Sequence, residues 1–221
     1  MIEELVGKIY KPHEEGITLV GITGFQGAGK STLITNLRDY VQGQGIGFET
    51  ISSDLYHQFT RAEKREIFER GKRDGMNLVD IMLQAYQHNT ALMRSHFSTV
   101  KKGANVRESG LYENTSGEKT ALLNLDLTKR PTLVVAEGVY ILQDGAGDLL
   151  DEVVFVDATK EERLRRTIER QSKRPGAHKI DLNAFEAMEA ANQQWICPHL
   201  KKPYISVENT DFLNPVIRMI Q

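Results

Sequence analysis

Short apolar runs alternate along the chain with longer stretches in which apolar residues recur every three or four positions. The runs "ITLVGIT" (17–23), "GFETISS" (47–53), "TLVVAEG" (132–138), "DEVVFVDA" (151–158) and "YISVEN" (204–209) have the length and β-branched content of strands. Their nearly unbroken apolar character fits parallel strands covered on both faces. Leu33, Leu37, Tyr40 and Val41 recur at helical spacing until "GQGIG" stops the pattern. Residues 61–94 read as two charged helices separated at "KRDGMN", and further helices are expected at about 160–173 and 182–197. A closing helix is expected after the last strand. "LLNLDL" (122–127) alternates cleanly behind the turn-rich "GLYENTSGEK" (110–119), which predicts a hairpin or flap over about 106–127, outside the main sheet. Five strands with intervening helices define a three-layer α/β domain, one unit over residues 1–221.

Composition narrows the class without naming a function. The 40% hydrophobic and 26% charged residues are ordinary for a globular chain of 221 residues. Lysine plus arginine is 28 against 30 acidic residues, so no global field draws the chain to nucleic acid or an anionic membrane. One cysteine, Cys197, excludes an internal disulfide and a thiolate metal cluster. The N-terminal "MIEELVGKIYKPHEEG" is too charged for a signal peptide, and no apolar run reaches a membrane span; a cytoplasmic location is the expectation. The pattern leaves a homo-oligomer open.

The chemistry begins at "GFQGAGKST" (24–32), directly after the first strand. Gly24, Gly29, Lys30 and Ser31 satisfy G-x-x-x-x-G-K-[ST] with a strand before and a helix after. Glycines let backbone N–H groups of Gln26, Gly27, Ala28 and Gly29 turn toward an anion, and the following helix adds its positive end. Lys30 can reach β- and γ-phosphates, while the hydroxyls of Ser31 and Thr32 suit phosphate and Mg²⁺. An accidental glycine-rich turn would lack this strand–loop–helix context.

Phosphoryl transfer also needs an acceptor, a metal ligand, a base and cations for the transition-state charge. Asp54 follows the second strand on the rim where open α/β sheets bind ligands, with Tyr56 and His57 beside it; its plain alternative is a turn cap. Glu137 ends a buried strand, where it could hold Mg²⁺ or the acceptor, or stand exposed and idle. Arg163, Arg166 and Arg170 share one helix face, followed by Lys173, Arg174 and "PGAH", a pattern that suits a mobile lid over about 163–178. The same helix carries Glu161–Arg165 and Glu162–Arg166 pairs, as a simple solvated helix would. Arg107, Tyr112 and Lys119 in the flap could read the acceptor. His88, His96, His178 and His199 lack metal-ligand spacing and read as surface or satisfied structural residues. Trp195 reads as core, Cys197 as a buried thiol, and "VENTD" as a segment near the adenine.

In this order the segments "GITGFQGAGKST", "ISSDLY", "LYENTSGEK", "VVAEGVYIL", "FVDATKEERLRRTIER" and "ISVENTD" resemble the phosphoribulokinase/uridine kinase family of P-loop kinases over most of 17–211. The resemblance implies a P-loop NTPase fold with a five-stranded parallel sheet of order 2-3-1-4-5, a lid helix and a substrate hairpin. It implies MgATP as donor and a small hydroxyl-bearing metabolite as acceptor. On this likeness Asp54 is the base, Glu137 the glutamate of the "EG" segment, Tyr112 the tyrosine opening the hairpin, and Arg166 and Arg170 lid residues. The nucleoside-binding segment of uridine kinases is replaced by "DGMNLVD" (74–80), which keeps Asp74 and Asp80 but has Gly75 and Val79 in place of histidine and phenylalanine. That departure argues against uridine or cytidine and leaves pantothenate-, glycerate-, sugar- or nucleoside-like acceptors. The competing reading is a nucleotide-dependent switch or accessory NTPase, for which "DGAG" (144–147) offers D-x-x-G but no N-K-x-D follows.

Overall fold

The computed structural model describes residues 1–11, 16–129, 131–173, 181–201, 203–211 and 214–221. Arg174, "PGAH" and His178, named above, lie outside the described residues. The central sheet contains β1 (Ile17–Gly24), β2 (Gly47–Ser52), β5 (Thr132–Glu137), β6 (Glu152–Asp157), β7 (Tyr204–Glu208) and β8 (Val216–Ile220). They lie in the order β2-β5-β1-β6-β7-β8. The first five are parallel and take the expected 2-3-1-4-5 order once the hairpin strands β3 (Val106–Leu111) and β4 (Ala121–Leu125) are set apart.

Nearly every residue of β1 and β5 is buried, and successive side chains turn to opposite faces with the two-residue period of a strand. Ile17, Leu19, Val134 and Ala136 join one apolar cluster; Val20, Ile22, Leu133 and Val135 join the other. Helix α2 (Lys30–Gly43) buries Leu33, Ile34, Leu37 and Val41 on the second face, beside Leu5 and Ile9 of α1 (Ile2–Ile9). The first face is covered by Met93, Phe97 and Val100 of α5 (Thr90–Lys101). The hairpin brings Val106, Leu111, Leu123 and Leu125 to the same cluster. At about 1.5–3 kcal/mol for each buried large apolar side chain, the expected flap is anchored at its root.

The charged stretch after β2 forms α3 (Arg61–Arg73) and α4 (Leu78–Ala85), followed by α5. A Thr60/Glu63 capping box starts α3, and Asn77 caps α4 by accepting from the Asp80 amide. Gly75, at φ 71°, turns the chain between them. The helices α6 (Lys160–Ser172) and α7 (Leu182–Ile196) match the sequence pattern closely.

Two expectations fail at the C-terminal end. Residues 216–220 are not a helix but β8, antiparallel to β7, because a short β-branched segment satisfies the open sheet edge better than a single helical turn. Cys197 is exposed rather than buried. Among the described residues, no helix is long and apolar enough to cross a membrane.

Candidate active site

The parallel strands β1, β2 and β5 end on one rim, and a cavity of about 1120 Å³ opens there. Its floor is the glycine loop between β1 and α2: Gln26, Gly27, Gly29, Lys30, Ser31 and Thr32 all line it. Gly24 and Ala28 do not line it. A Cβ on Gly24, at φ 147°, would lie 2.0 Å from the Val156 carbonyl oxygen, so this glycine permits the close approach of β1 to β6. Ala28 turns its methyl group into the core, while its carbonyl accepts from Asn209 Nδ2 at 2.8 Å and from Arg166 at 3.3 Å.

Gly29 holds φ 101° immediately before α2, and the Lys30 ammonium folds back to donate to the Gly24 and Phe25 carbonyls at 2.7 and 3.1 Å. Burial lowers the Lys30 pKa, and the nearby Glu137 and Asp54 carboxylates oppose that shift. The loop therefore presents bare backbone with its cation already positioned, and Cβ atoms on Gly27 and Gly29 would strike the Arg163 carbonyl oxygen at 2.5 Å and Asn209 Nδ2 at 2.2 Å. Its shape and charge fit a polyphosphate.

The far wall carries the acids. Asp54 sits in the short turn after β2, where the Ser52 hydroxyl rather than Asp54 caps the backbone. The Asp54 carboxylate instead faces the cavity and accepts from Asn114 Nδ2 of the hairpin loop at 2.6 Å. Glu137 pairs in register with Ser52 at the end of β5. Burial raises its pKa; the Ser52 hydroxyl and Lys30 pull it down, and Asp54 pushes it up. The half-buried Glu137 carboxylate and the Ser31 hydroxyl line the same cavity and are oxygen donors of the kind suited to Mg²⁺.

Helix α6 supplies cations from the side. Arg166 lines the cavity, and its guanidinium reaches the Gly27 and Ala28 carbonyls at 3.4 and 3.3 Å and the Asn209 carbonyl at 2.7 Å. Arg170 and Lys173 line the same wall. Arg163 does not: it is 6% exposed, pairs with Asp157 and Glu189, and lies over the Phe25 ring.

Several expected acceptor residues are placed elsewhere. Tyr56 is 1% exposed and bonds His96 Nδ1 at 2.8 Å, making it part of the core. Arg107 is exposed on β3 opposite Asn124, and Lys119 is exposed beyond the lining. Tyr112 packs edge-on against His57, with the Lys64 ammonium 4.0 Å from its ring, and does not itself line the cavity. The structure brings His57, Tyr86, Tyr140 and Trp195 to the cavity wall, together with Met188 and Asn192. Tyr140 and Trp195 lie 4.7 Å apart, and His88 stacks on Tyr140 at 3.3 Å between centroids. Trp195 is thus both core and wall. His88 is not a fully satisfied structural histidine, because its Nε2 is buried without a hydrogen-bond partner among the described residues.

The strand β1, the glycine cradle at the N-terminus of α2 and the carboxylates of Asp54 and Glu137 thus meet on one rim. The sequence profile described as "Phosphoribulokinase / Uridine kinase family" matches residues 19–211, and the chain belongs to that family of P-loop kinases acting on small-molecule substrates. A uridine kinase from Clostridium novyi is 26% identical over 163 residues, covering 72% of this chain and 70% of that protein. A uridine kinase from Limosilactobacillus reuteri is 26% identical over 156 residues, 69% of this chain and 64% of the relative. Phosphoribulokinase from Rhodobacter spheroides superposes with a TM-score of 0.69 at 16% identity, over 94% of this chain and 81% of the other. D-glycerate 3-kinase from Cryptococcus neoformans superposes with a TM-score of 0.61 at 13% identity, over 97% and 96%.

Proposed function

We propose that the chain transfers the γ-phosphoryl group of ATP to a hydroxyl of a small metabolite, with all 221 residues acting as one kinase unit. The observation that carries this reading is the shared cavity: phosphate cradle, Asp54, Glu137 and the α6 cations all line it. The donor's phosphates rest on the Gly27–Thr32 backbone, and its base lies toward the recess formed by Asn36, Val207, Asn209 and Pro215. Ser31 and Glu137 would hold Mg²⁺, which when bound draws charge from the phosphate oxygens. Lys30, Arg166 and Arg170 offset the charge that develops on the moving group. The second half of α6 acts as the lid.

Asp54 accepts the proton of the acceptor hydroxyl. The freed oxygen bonds to the γ-phosphorus, the bond from that phosphorus to the β–γ bridging oxygen breaks, and ADP departs. Asn114 orients the carboxylate through its 2.6 Å bond. The rings of Tyr86, Tyr140 and Trp195 favour an acceptor with a flat or apolar face over an open-chain polyol. Asp54→Asn tests the assignment: MgATP affinity stays within twofold while kcat falls ~10²–10⁴-fold, the range for a lost general base. Full turnover in that variant overturns the role of Asp54.

A further inference from the structure

Phosphoryl transfer leaves His88, and one nitrogen of His57, without a task. His57 follows the turn after β2, His88 follows α4, and their backbones meet in an isolated antiparallel bridge. Their rings lie 4.0 Å apart between centroids, and each residue is 6% exposed. The Tyr86 carbonyl lies 2.7 Å from His88 Nδ1 and can only accept, so Nδ1 carries the proton and Nε2 presents a lone pair. That Nε2 and His57 Nδ1 are both buried with no hydrogen-bond partner among the described residues. Leaving such a group unsatisfied costs about 1–3 kcal/mol, and here two occur side by side.

Asp54 completes the group: one ligand atom from each of Asp54, His57 and His88 lies within 4.8 Å of the others. Two imidazole nitrogens and a carboxylate are the donors of a Zn²⁺-like dication, whereas Mg²⁺ selects oxygen. We propose that Asp54, His57 and His88 form a transition-metal site of the Zn²⁺ class, distinct from a Mg²⁺ position at Ser31 and Glu137. Zn–N bonds of about 2.0–2.1 Å place tetrahedral ligands ~3.4 Å apart, so the three atoms need to close by at most roughly 1.4 Å. His88 is held by the Tyr140 ring and the Tyr86 carbonyl, an outer partner of the kind that fixes metal-bound imidazoles. Asp54, half-buried on a short turn, is the group that moves. Asp54 and His57 line the cavity, so the fourth position opens to solvent or acceptor. Metal there occupies the carboxylate and suppresses transfer; that consequence rests on the base role of Asp54, whereas binding does not.

The test uses the full chain with Cys197→Ser, since the exposed thiol is a competing ligand. Chelator-treated protein is titrated with Co²⁺ and then Zn²⁺, in excess Mg²⁺ and without nucleotide. One equivalent of Co²⁺ gives the visible absorption of a four-coordinate nitrogen and oxygen site, and Zn²⁺ displaces it. His57→Gln and His88→Gln each weaken Zn²⁺ binding at least ~100-fold, the upper range for losing even an outer partner. If His88→Gln does not fold, His57→Gln and Asp54→Asn decide. Absence of Co²⁺ uptake, or parent-like Zn²⁺ affinity in a folded ligand variant, overturns the site. Zn²⁺ binding that depends on these residues but spares kinase activity upholds the site and counts against Asp54 as base.

Discussion

Gly29→Ala isolates the backbone contribution to the phosphate cradle. The residue holds φ 101°, and an added Cβ would lie 2.2 Å from Asn209 Nδ2. The left-handed conformation costs a non-glycine residue about 1–2 kcal/mol. Displacing Asn209 also removes its 2.8 Å bond to the Ala28 carbonyl, at about 1–2 kcal/mol. The loop escapes this strain by distorting, and nucleotide binding must then restore the cradle. A total of about 2–4 kcal/mol corresponds to MgATP affinity weakened ~30- to 1000-fold. Asn209→Ala alone loses only the hydrogen bond, about 1–2 kcal/mol or ~5- to 30-fold. In the double variant the new methyl group has room, so the effects fall short of additivity by about 1 kcal/mol. Titration calorimetry with MgATP on the four proteins measures each term. Parent-like affinity in Gly29→Ala, or strict additivity, would show that this backbone does not hold the donor.

The other predictions concern stability. Burial, with help from Lys64, lowers the His57 pKa to about 4 from 6.5. Between those values the unfolded chain binds the proton and the folded chain does not, so stability rises with pH there and is lost on acidification. From pH 7 to 5 the His57 share of that loss is about 2 kcal/mol; urea unfolding of His57→Gln shows a shallower pH slope, and an unchanged slope contradicts the reasoning. His88 is shifted in the same direction and keeps part of the slope. Arg163→Ala strands the buried Glu189 carboxylate and costs about 3–5 kcal/mol, whereas Arg163→Met with Glu189→Met recovers most of it. Thermal unfolding measures both, and a loss below 1 kcal/mol in Arg163→Ala would refute the pairing argument.

What the sequence made legible was local. The cradle could be read because its spacing spans nine consecutive residues, and Asp54 and Glu137 because each ends a run of strand-like pattern. The sheet order followed from family resemblance, since strand pairing leaves no trace in periodicity. β8 was misread because its partner, the edge of β7, is remote in composition and set only by the fold. The break at 86–89 between α4 and α5 was missed, although Asn89 is a helix-capping type. Tyr56 stands close to Asp54 in sequence and Arg107 lies in a polar flap, but turn and strand geometry bury the first in the core and leave the second outside the cavity. The ring wall leaves no such trace: Tyr86, Tyr140 and Trp195 come from three separate segments and converge only where α4, α7 and the chain after β5 pack together.

The proposed reaction is phosphoryl transfer from donor to alcohol within one cavity. ATP labelled at its γ-phosphate, incubated with Mg²⁺, the protein and a panel of nucleosides, pantothenate-like molecules, glycerate and sugar phosphates, tests it most directly. The prediction is label on one class of acceptor, with equimolar ADP, and none when Asp54 is asparagine. Label that stays on ATP, or appears only as inorganic phosphate whatever alcohol is supplied, would contradict it.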